Sequence, residues 1–200
     1  MKVEIEDVLF WMDAIRNSDD RYRTLESFWK GQIRSKVWLI ENLAIHAKHE
    51  PNNIVIHGGW NGVLSSLIFN SEISVNHVTS VDIDPKCEKT ATTVNNLYTI
   101  QGKFKSKTAD MKHYKYNVDP DIVINTSAEH VCDETLRTWF NNISKSTLVV
   151  VQSNNFYGLD EHVNCVDSSA QLAEKLGFLN SFGYAFETPK YTRFMLIGQK

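Results

Sequence analysis

The chain is poor in cysteine and proline, has no long apolar run and carries no excess of positive charge. Three cysteines in 200 residues, Cys87, Cys132 and Cys165, make no CxxC pair and are odd in number. That excludes a disulfide scaffold and reads as reduced thiols. Four prolines and nine glycines exclude collagen-like and low-complexity architectures. A formal net charge of −3 argues against a protein that lives on nucleic-acid backbone. The apolar runs are too short to cross a bilayer, and the opening MKVEIEDVLFWMDAIR is acidic and amphipathic, unlike a signal peptide. The expectation is a cytoplasmic protein with no membrane partner. What remains is ordinary globular usage, 42% hydrophobic and 22% charged, in a length that suits one domain with a helical extension.

The first fifty residues read as helix. Val8, Leu9, Trp11, Met12 and Ile15 group on one face of a first helix. A second, from about Leu25 to Ala47, repeats apolar residues at spacings of three and four. Pro51-Asn52-Asn53 closes this part, and strand and helix then alternate. Strands are expected at Asn53–Ile56, His77–Ile83, Phe104–Thr108, Asp121–Asn125 and Thr147–Val151. Helices are expected at Val63–Phe69, Pro85–Leu97, Asp133–Ile143 and Ser168–Leu176, the last with a Ser168/Gln171 capping pair and a Gly177 stop. Phe178–Glu187 and Tyr191–Gln199 alternate like an antiparallel hairpin. The expected fold is α/β: a doubly wound, seven-stranded, mostly parallel sheet with a C-terminal antiparallel hairpin and an N-terminal helical extension, divided as 1–50 and 51–200.

In such sheets ligands bind beyond the carboxyl ends of the strands, so the turns after the strands hold the candidate residues. The first turn, His57-Gly58-Gly59-Trp60-Asn61-Gly62, is glycine-rich, which lets the backbone turn tightly and lets a ligand approach. It is not a full GxGxxG, because His57 stands where the first glycine would be. Asp82 lies twenty residues past Gly62, in VDIDP, where a carboxylate can accept both hydroxyls of a ribose. Asp84 is the candidate cap of the next helix.

The segments IVIHGGWNGVLSSL, VTSVDIDP and DIVINTSAEH resemble the class I S-adenosylmethionine-dependent methyltransferases over about residues 53–200. The resemblance implies S-adenosylmethionine as cofactor. Gly58 and Gly62 then wrap its methionine part, with Gly59 and Trp60 in the same turn. Asp82, followed by Ile83, holds the ribose, and Asp110, followed by Met111, meets the adenine amino group. It also places Asn125-Thr126-Ser127 toward the methyl acceptor. Two positions depart from the family. The acidic residue usual in the first strand is Ile56, which leaves the cofactor's amino group to Gln32, Ser35 or Lys36 if the N-terminal helices lid the site. Trp60 replaces the middle glycine and either stacks on the ligand or plugs the lid interface.

On the acceptor side Asn125, Ser127, Glu129 and His130 leave the fourth strand together and are the candidate catalytic residues. Neutral His130 or ionised Glu129 would take a proton, and Asn125 would hold an amine. Asn154, Asn155, Glu161 and His162 follow the fifth strand. Glu129-His130-x-Cys132 and Glu161-His162-x-x-Cys165 repeat ligand-capable types after neighbouring strands; two His and two Cys converging could bind Zn²⁺, and carboxylates with His another divalent metal, but His-x-Cys is not a zinc-knuckle spacing, and no metal site is assigned. Lys103, Lys105, Lys107, Lys112 and Lys115 read as protection of an edge strand. With no added recognition domain, a small-molecule acceptor is expected ahead of nucleic acid. The alternatives are a non-catalytic adenosine- or SAM-binding subunit and a nicotinamide-dependent oxidoreductase. No tyrosine here has a lysine four places on, which weighs against the short-chain type of the latter.

Overall fold

The computed structural model describes residues 1–47 and 51–200, in two compact units, Met1–Asp110 and Met111–Lys200. The boundary expected at residue 50 falls on residues outside those described. Seven strands form a single sheet in the order β3-β2-β1-β4-β5-β7-β6. They are β1 (Asn53–His57), β2 (His77–Asp82), β3 (Phe104–Thr108), β4 (Ile122–Asn125), β5 (Leu148–Asn154), β6 (Asn180–Glu187) and β7 (Thr192–Gln199). This is the expected α/β sheet, with the lysine-rich β3 at one edge.

In the first unit β1, β2 and β3 pair in parallel, with Asn53 opposite His77 and Val78 opposite Phe104. Ile54, Val55 and Ile56 form a fully buried run because a parallel strand is covered on both faces. Around these strands lie α1 (Ile5–Asn17), α2 (Arg21–Ser27), α3 (Lys30–His46), α4 (Val63–Phe69), α5 (Lys86–Val94) and α6 (Asn96–Ile100).

Two expected helices are broken. The stretch Leu25–Ala47 divides at Phe28 and Trp29, where Phe28 and Trp29 donate to Leu25 O and Glu26 O in a tightened turn and Trp29 is extended at ψ 147°. Buried Ser27 contributes by turning its hydroxyl onto Thr24 O at 2.6 Å, a bond that competes with helix continuation. The stretch after Pro85 breaks at Asn95. The inward face of α1 also differs from the apolar grouping. Asp7 and Ala14 are buried, whereas Leu9 and Met12 are 59% and 54% exposed. A polar anchor outweighs periodicity here: buried Asp7 Oδ2 accepts from Asn70 Nδ2 (2.8 Å) and from the Tyr98 hydroxyl (3.0 Å). Trp11 Nε1 adds a bond to Ser66 Oγ at 3.0 Å.

In the second unit β4 and β5 are parallel, and β7 runs antiparallel between β5 and β6. Its helices are α7 (Asp133–Asn141) and α8 (Ser169–Leu176). Ser168 Oγ caps α8 by accepting Gln171 N–H at 3.1 Å, and Gly177 ends it in the left-handed region at φ 76°. The three cysteines are free, and Cys132 is exposed. Burial pushes the Cys87 thiol up to about 12, so this sulfur behaves as a small apolar group. No helix among the described residues is long and apolar enough to cross a membrane.

Candidate functional site

The turn between β1 and α4 carries three left-handed residues in five: Gly58 (φ 64°), Trp60 (φ 49°) and Gly62 (φ 72°). A tryptophan in that region is strained, and the turn is held by its neighbours. Trp60 N–H donates to Asp82 Oδ2 at 2.8 Å, and Gly59 N–H to Val81 O at 3.1 Å. At Gly59 a Cβ would lie 2.0 Å from Ser80 Oγ, so a side chain there requires the serine hydroxyl to turn aside. At Gly62 a Cβ would lie 2.6 Å from Asn95 Nδ2, which donates to Gly62 O at 3.0 Å. These two glycines therefore admit Ser80 and Asn95, parts of the protein itself. Asn95, which also breaks the helix between α5 and α6, supports the turn and was not visible in the sequence pattern. Its only signal is a polar residue where the helical repeat asks for an apolar one.

Asp82 closes β2 with one backbone donor on each oxygen: Trp60 N–H on Oδ2 and Asp84 N–H on Oδ1 (3.0 Å). Each oxygen keeps a lone pair for a further donor. Asp84, the expected cap, lies one residue before the N-cap Pro85 and engages the helix start, accepting Lys86 N–H at 3.0 Å and pairing with Arg23 Nη1 at 2.6 Å. The Lys86 N–H and then the Arg23 guanidinium hold its carboxyl below the usual range. Ile83, next in the chain, is 69% exposed, an apolar side chain left in the open beside the acid. Asp110 follows β3, as expected. Within the turn Trp60 Nε1 and Asn61 Nδ2 are buried donors with no acceptor. His57 is buried, and desolvation pushes its imidazole down to about 3, so it is neutral.

On α3, Gln32 Oε1 accepts from Lys36 Nζ at 2.8 Å and Ser35 is buried, so two of the three side chains considered for the cofactor's amino group engage each other. A shallow cleft of about 370 Å³ lies at the far end of α4 from the glycine turn, lined by Met1, Lys2, Phe69, Asn70 and Tyr98 among others.

The second unit carries the candidate acceptor residues. Asn125, the buried last residue of β4, accepts Ser127 N–H on Oδ1 at 2.9 Å and donates to Met111 Sδ at 3.6 Å. Its amide oxygen thus shapes the exit of the strand. Glu129, in the short 3₁₀ turn Ala128–His130, is only 2% exposed. Its Oε1 accepts Asn154 Nδ2 at 2.7 Å and Arg193 Nη2 at 2.9 Å. Asn154 and Arg193 are register partners on β5 and β7, which is why both reach one oxygen. Arg193 also donates to Thr126 O (3.1 Å) and Gln152 Oε1 (3.3 Å). Nothing in the sequence singled out Arg193, because a lone arginine in an alternating strand looks like an outward residue.

His130 and His162 stack edge to face at 4.7 Å. Each bonds a backbone carbonyl through Nδ1, His130 to Glu161 O (3.2 Å) and His162 to Phe156 O (2.7 Å). One coordinating atom from each of Glu129, His130 and His162 lies within 4.8 Å of the others. Of the cysteines considered with them, Cys132 turns to Thr135 Oγ1 at 3.3 Å, and buried Cys165 meets His162 on Nδ1 at 3.9 Å.

The sequence matches no protein-family model and no curated protein. Solved structures resemble it in fold at low identity. The N-methyltransferase NodS from Bradyrhizobium japonicum WM9 has a TM-score of 0.65 at 11% identity, over 82% of this chain and 93% of NodS. A point mutant of MtNAS, solved in complex with S-adenosylmethionine, gives 0.62 at 15% over 97% of this chain and 72% of that one. The small RNA methyltransferase HEN1 gives 0.69 at 14%, but this chain spans only 26% of its length. With its strand order and terminal hairpin, the chain has the fold of the class I S-adenosylmethionine-dependent methyltransferases.

Proposed function

We infer that the protein binds S-adenosylmethionine at the β1 and β2 ends and transfers its methyl group to an oxygen or nitrogen of a small-molecule acceptor. The observation that carries this reading is Asp82. Its carboxylate is fixed to the glycine turn through Trp60 N–H at 2.8 Å, with acceptor capacity to spare and exposed Ile83 beside it. That arrangement suits a ribose diol against an apolar base. The unpaired donors Trp60 Nε1 and Asn61 Nδ2 suit a ligand with acceptor groups, such as the methionine carboxylate. Gly58 and Gly62 would wrap that part, and Asp110 with Met111 would meet the adenine.

The cofactor would supply an activated methyl on a sulfonium, so the residues of the chain need only orient an acceptor, exclude water and take a proton. Asn125, Ser127, Glu129 and His130 are the candidates on the acceptor side. His130, exposed and bonded through Nδ1, has Nε2 as its basic nitrogen. Asn125 and Arg193 position Ser127 and Glu129.

The test is calorimetric titration with S-adenosylmethionine, S-adenosylhomocysteine and NADPH, on the wild type, Asp82→Ala and Asp82→Asn. Saturable binding of the two sulfur ligands, lost in folded Asp82→Ala, is expected. Preferential binding of NADPH, or no ligand at all, would overturn the reading.

A further inference from the structure

One ligand-capable atom from each of Glu129, His130 and His162 converges in the second unit. Glu129 Oε1 is fully engaged by Asn154 and Arg193, while Oε2 is buried and has no hydrogen-bond partner. A carbonyl oxygen only accepts, so the bonds from His130 to Glu161 O and from His162 to Phe156 O place the single ring proton of the neutral form on Nδ1 in both. That leaves Nε2 of both rings as a bare lone pair. A buried carboxylate oxygen without a donor costs about 1–3 kcal/mol or more, and adding two lone pairs nearby does not relieve it. A cation does.

We propose that Glu129, His130 and His162 form a site for one divalent first-row transition-metal ion, bound through Glu129 Oε2 and the two Nε2 atoms. Two imidazoles with one carboxylate form a donor set for Zn²⁺, Mn²⁺ or Fe²⁺ rather than for the all-oxygen ions Mg²⁺ and Ca²⁺. The surroundings are those of a metal site one layer out. Each ring gives its other N–H to a backbone carbonyl, and the carboxylate is oriented by an amide and a guanidinium. The two loops are tied together by Asn164, whose N–H donates to Glu129 O at 2.9 Å and whose Nδ2 donates to Val131 O at 2.9 Å. One ligand-capable atom of each residue already lies within 4.8 Å of the others, and the three donors must draw in to about 3.0–3.4 Å around an ion with bonds near 2.1 Å. Exposed His130 and half-buried His162 can make that move.

Three protein ligands leave coordination positions open on the exposed side, as in catalytic rather than structural sites. Arg193 already balances the charge of Glu129, so the ion keeps its positive charge and favours an anionic oxygen in an open position. On the methyltransferase reading, on which this step alone rests, that oxygen is the acceptor's. Coordination then lowers its pKa as it lowers that of bound water. An oxygen acceptor is thereby favoured over nitrogen.

The experiment is titration of the chelator-treated full chain with Zn²⁺, Mn²⁺ and Mg²⁺ by calorimetry, and with Co²⁺ by visible absorption. It uses the wild type, His162→Ala, His130→Ala, Asn154→Ala and Cys165→Ser, each checked for folding by circular dichroism. One equivalent of Zn²⁺ or Mn²⁺ should bind more tightly than Mg²⁺. Either histidine variant should weaken it by about 100-fold, Asn154→Ala by about 10-fold, and Cys165→Ser not at all. Absence of one-to-one binding overturns the proposal. So does binding that survives in His162→Ala, or that depends on Cys165. Binding of S-adenosylmethionine without a metal site would sink this inference alone, and a metal site without S-adenosylmethionine binding would sink the methyltransferase reading alone.

Discussion

Replacing Arg193 with methionine tests how the Glu129 carboxylate is held. The pair is buried on both sides, with side-chain exposures of 11% for Arg193 and 3% for Glu129, and its length is 2.9 Å. Methionine keeps much of the volume and removes the cation, leaving a carboxylate with Asn154 Nδ2 as its one donor. Removal of one partner from a buried pair costs about 3–5 kcal/mol, because the remaining charge stays desolvated. In a chain of this size each kcal/mol shifts Tm by about 2–4 °C, so a fall of roughly 6–20 °C follows. Urea denaturation with chelator present is the cleaner assay, since a bound ion would add its own linkage. The control is the same change in a Glu129→Gln background. There no charge is stranded, and the cost should drop to about 1–2 kcal/mol for the lost bonds to Thr126 O and Gln152 Oε1. A cost below about 1 kcal/mol for Arg193→Met, or equal costs in the two backgrounds, refutes the reasoning.

Four further outcomes are expected. Gly59→Ala drives a Cβ to 2.0 Å from Ser80 Oγ and should destabilise by about 1–3 kcal/mol, with Ser80→Ala restoring most of it in urea melts. His57 should shape the acid limb of stability. Its folded value of about 3 lies below its unfolded value near 6.5, so as pH falls through that window the unfolded chain takes up the proton first. Stability then drops by about 1.4 kcal/mol per pH unit, and His57→Gln should flatten that part of the urea midpoint against pH. Tyr98→Phe removes a donor from buried Asp7 and should cost about 1–3 kcal/mol by thermal melting. Ser168→Ala removes the cap of α8 and should cost about 1 kcal/mol on the same assay.

The strands were readable because a parallel strand buried on both faces leaves an apolar run, and IVI, IVI and LVVV are such runs. The capping pair of α8 and its glycine stop were readable for the same local reason. Misreadings arose where a tertiary partner overrides local pattern. Asp7 and Trp11 turn α1 onto Asn70, Tyr98 and Ser66, so Leu9 and Met12 end up exposed. Asn95 leaves its helix to hold Gly62 O, and Ser27 bends the chain ahead of Trp29. The candidate site was half legible. Asp82 and the glycine turn announce themselves by spacing, whereas Arg193 reaches Glu129 from 64 residues away through strand register. The grouping of Glu129 with His130 and His162, rather than of the histidines with Cys132 and Cys165, depends on side-chain directions in two loops. No spacing rule contains that.

Asp82 and Glu129 are acids held in opposite ways, and the difference bears on what each can bind. Asp82 takes one backbone N–H on each oxygen, so its charge is solvated evenly and both oxygens retain a lone pair. Such a carboxylate suits a neutral partner that donates two hydrogen bonds, since nothing about it demands a counter-charge. Glu129 is held on one oxygen by two donors while the other is buried bare. A neutral donor would satisfy that oxygen, but the two rings grouped with Glu129 each donate through Nδ1 and, in the neutral form, offer a further lone pair on Nε2. A single hydroxyl cannot serve three acceptors, because it has one proton to give. One multivalent cation serves all three at once, and this stoichiometric mismatch, rather than the mere presence of two histidines and an acid, distinguishes the cluster from an ordinary polar rim.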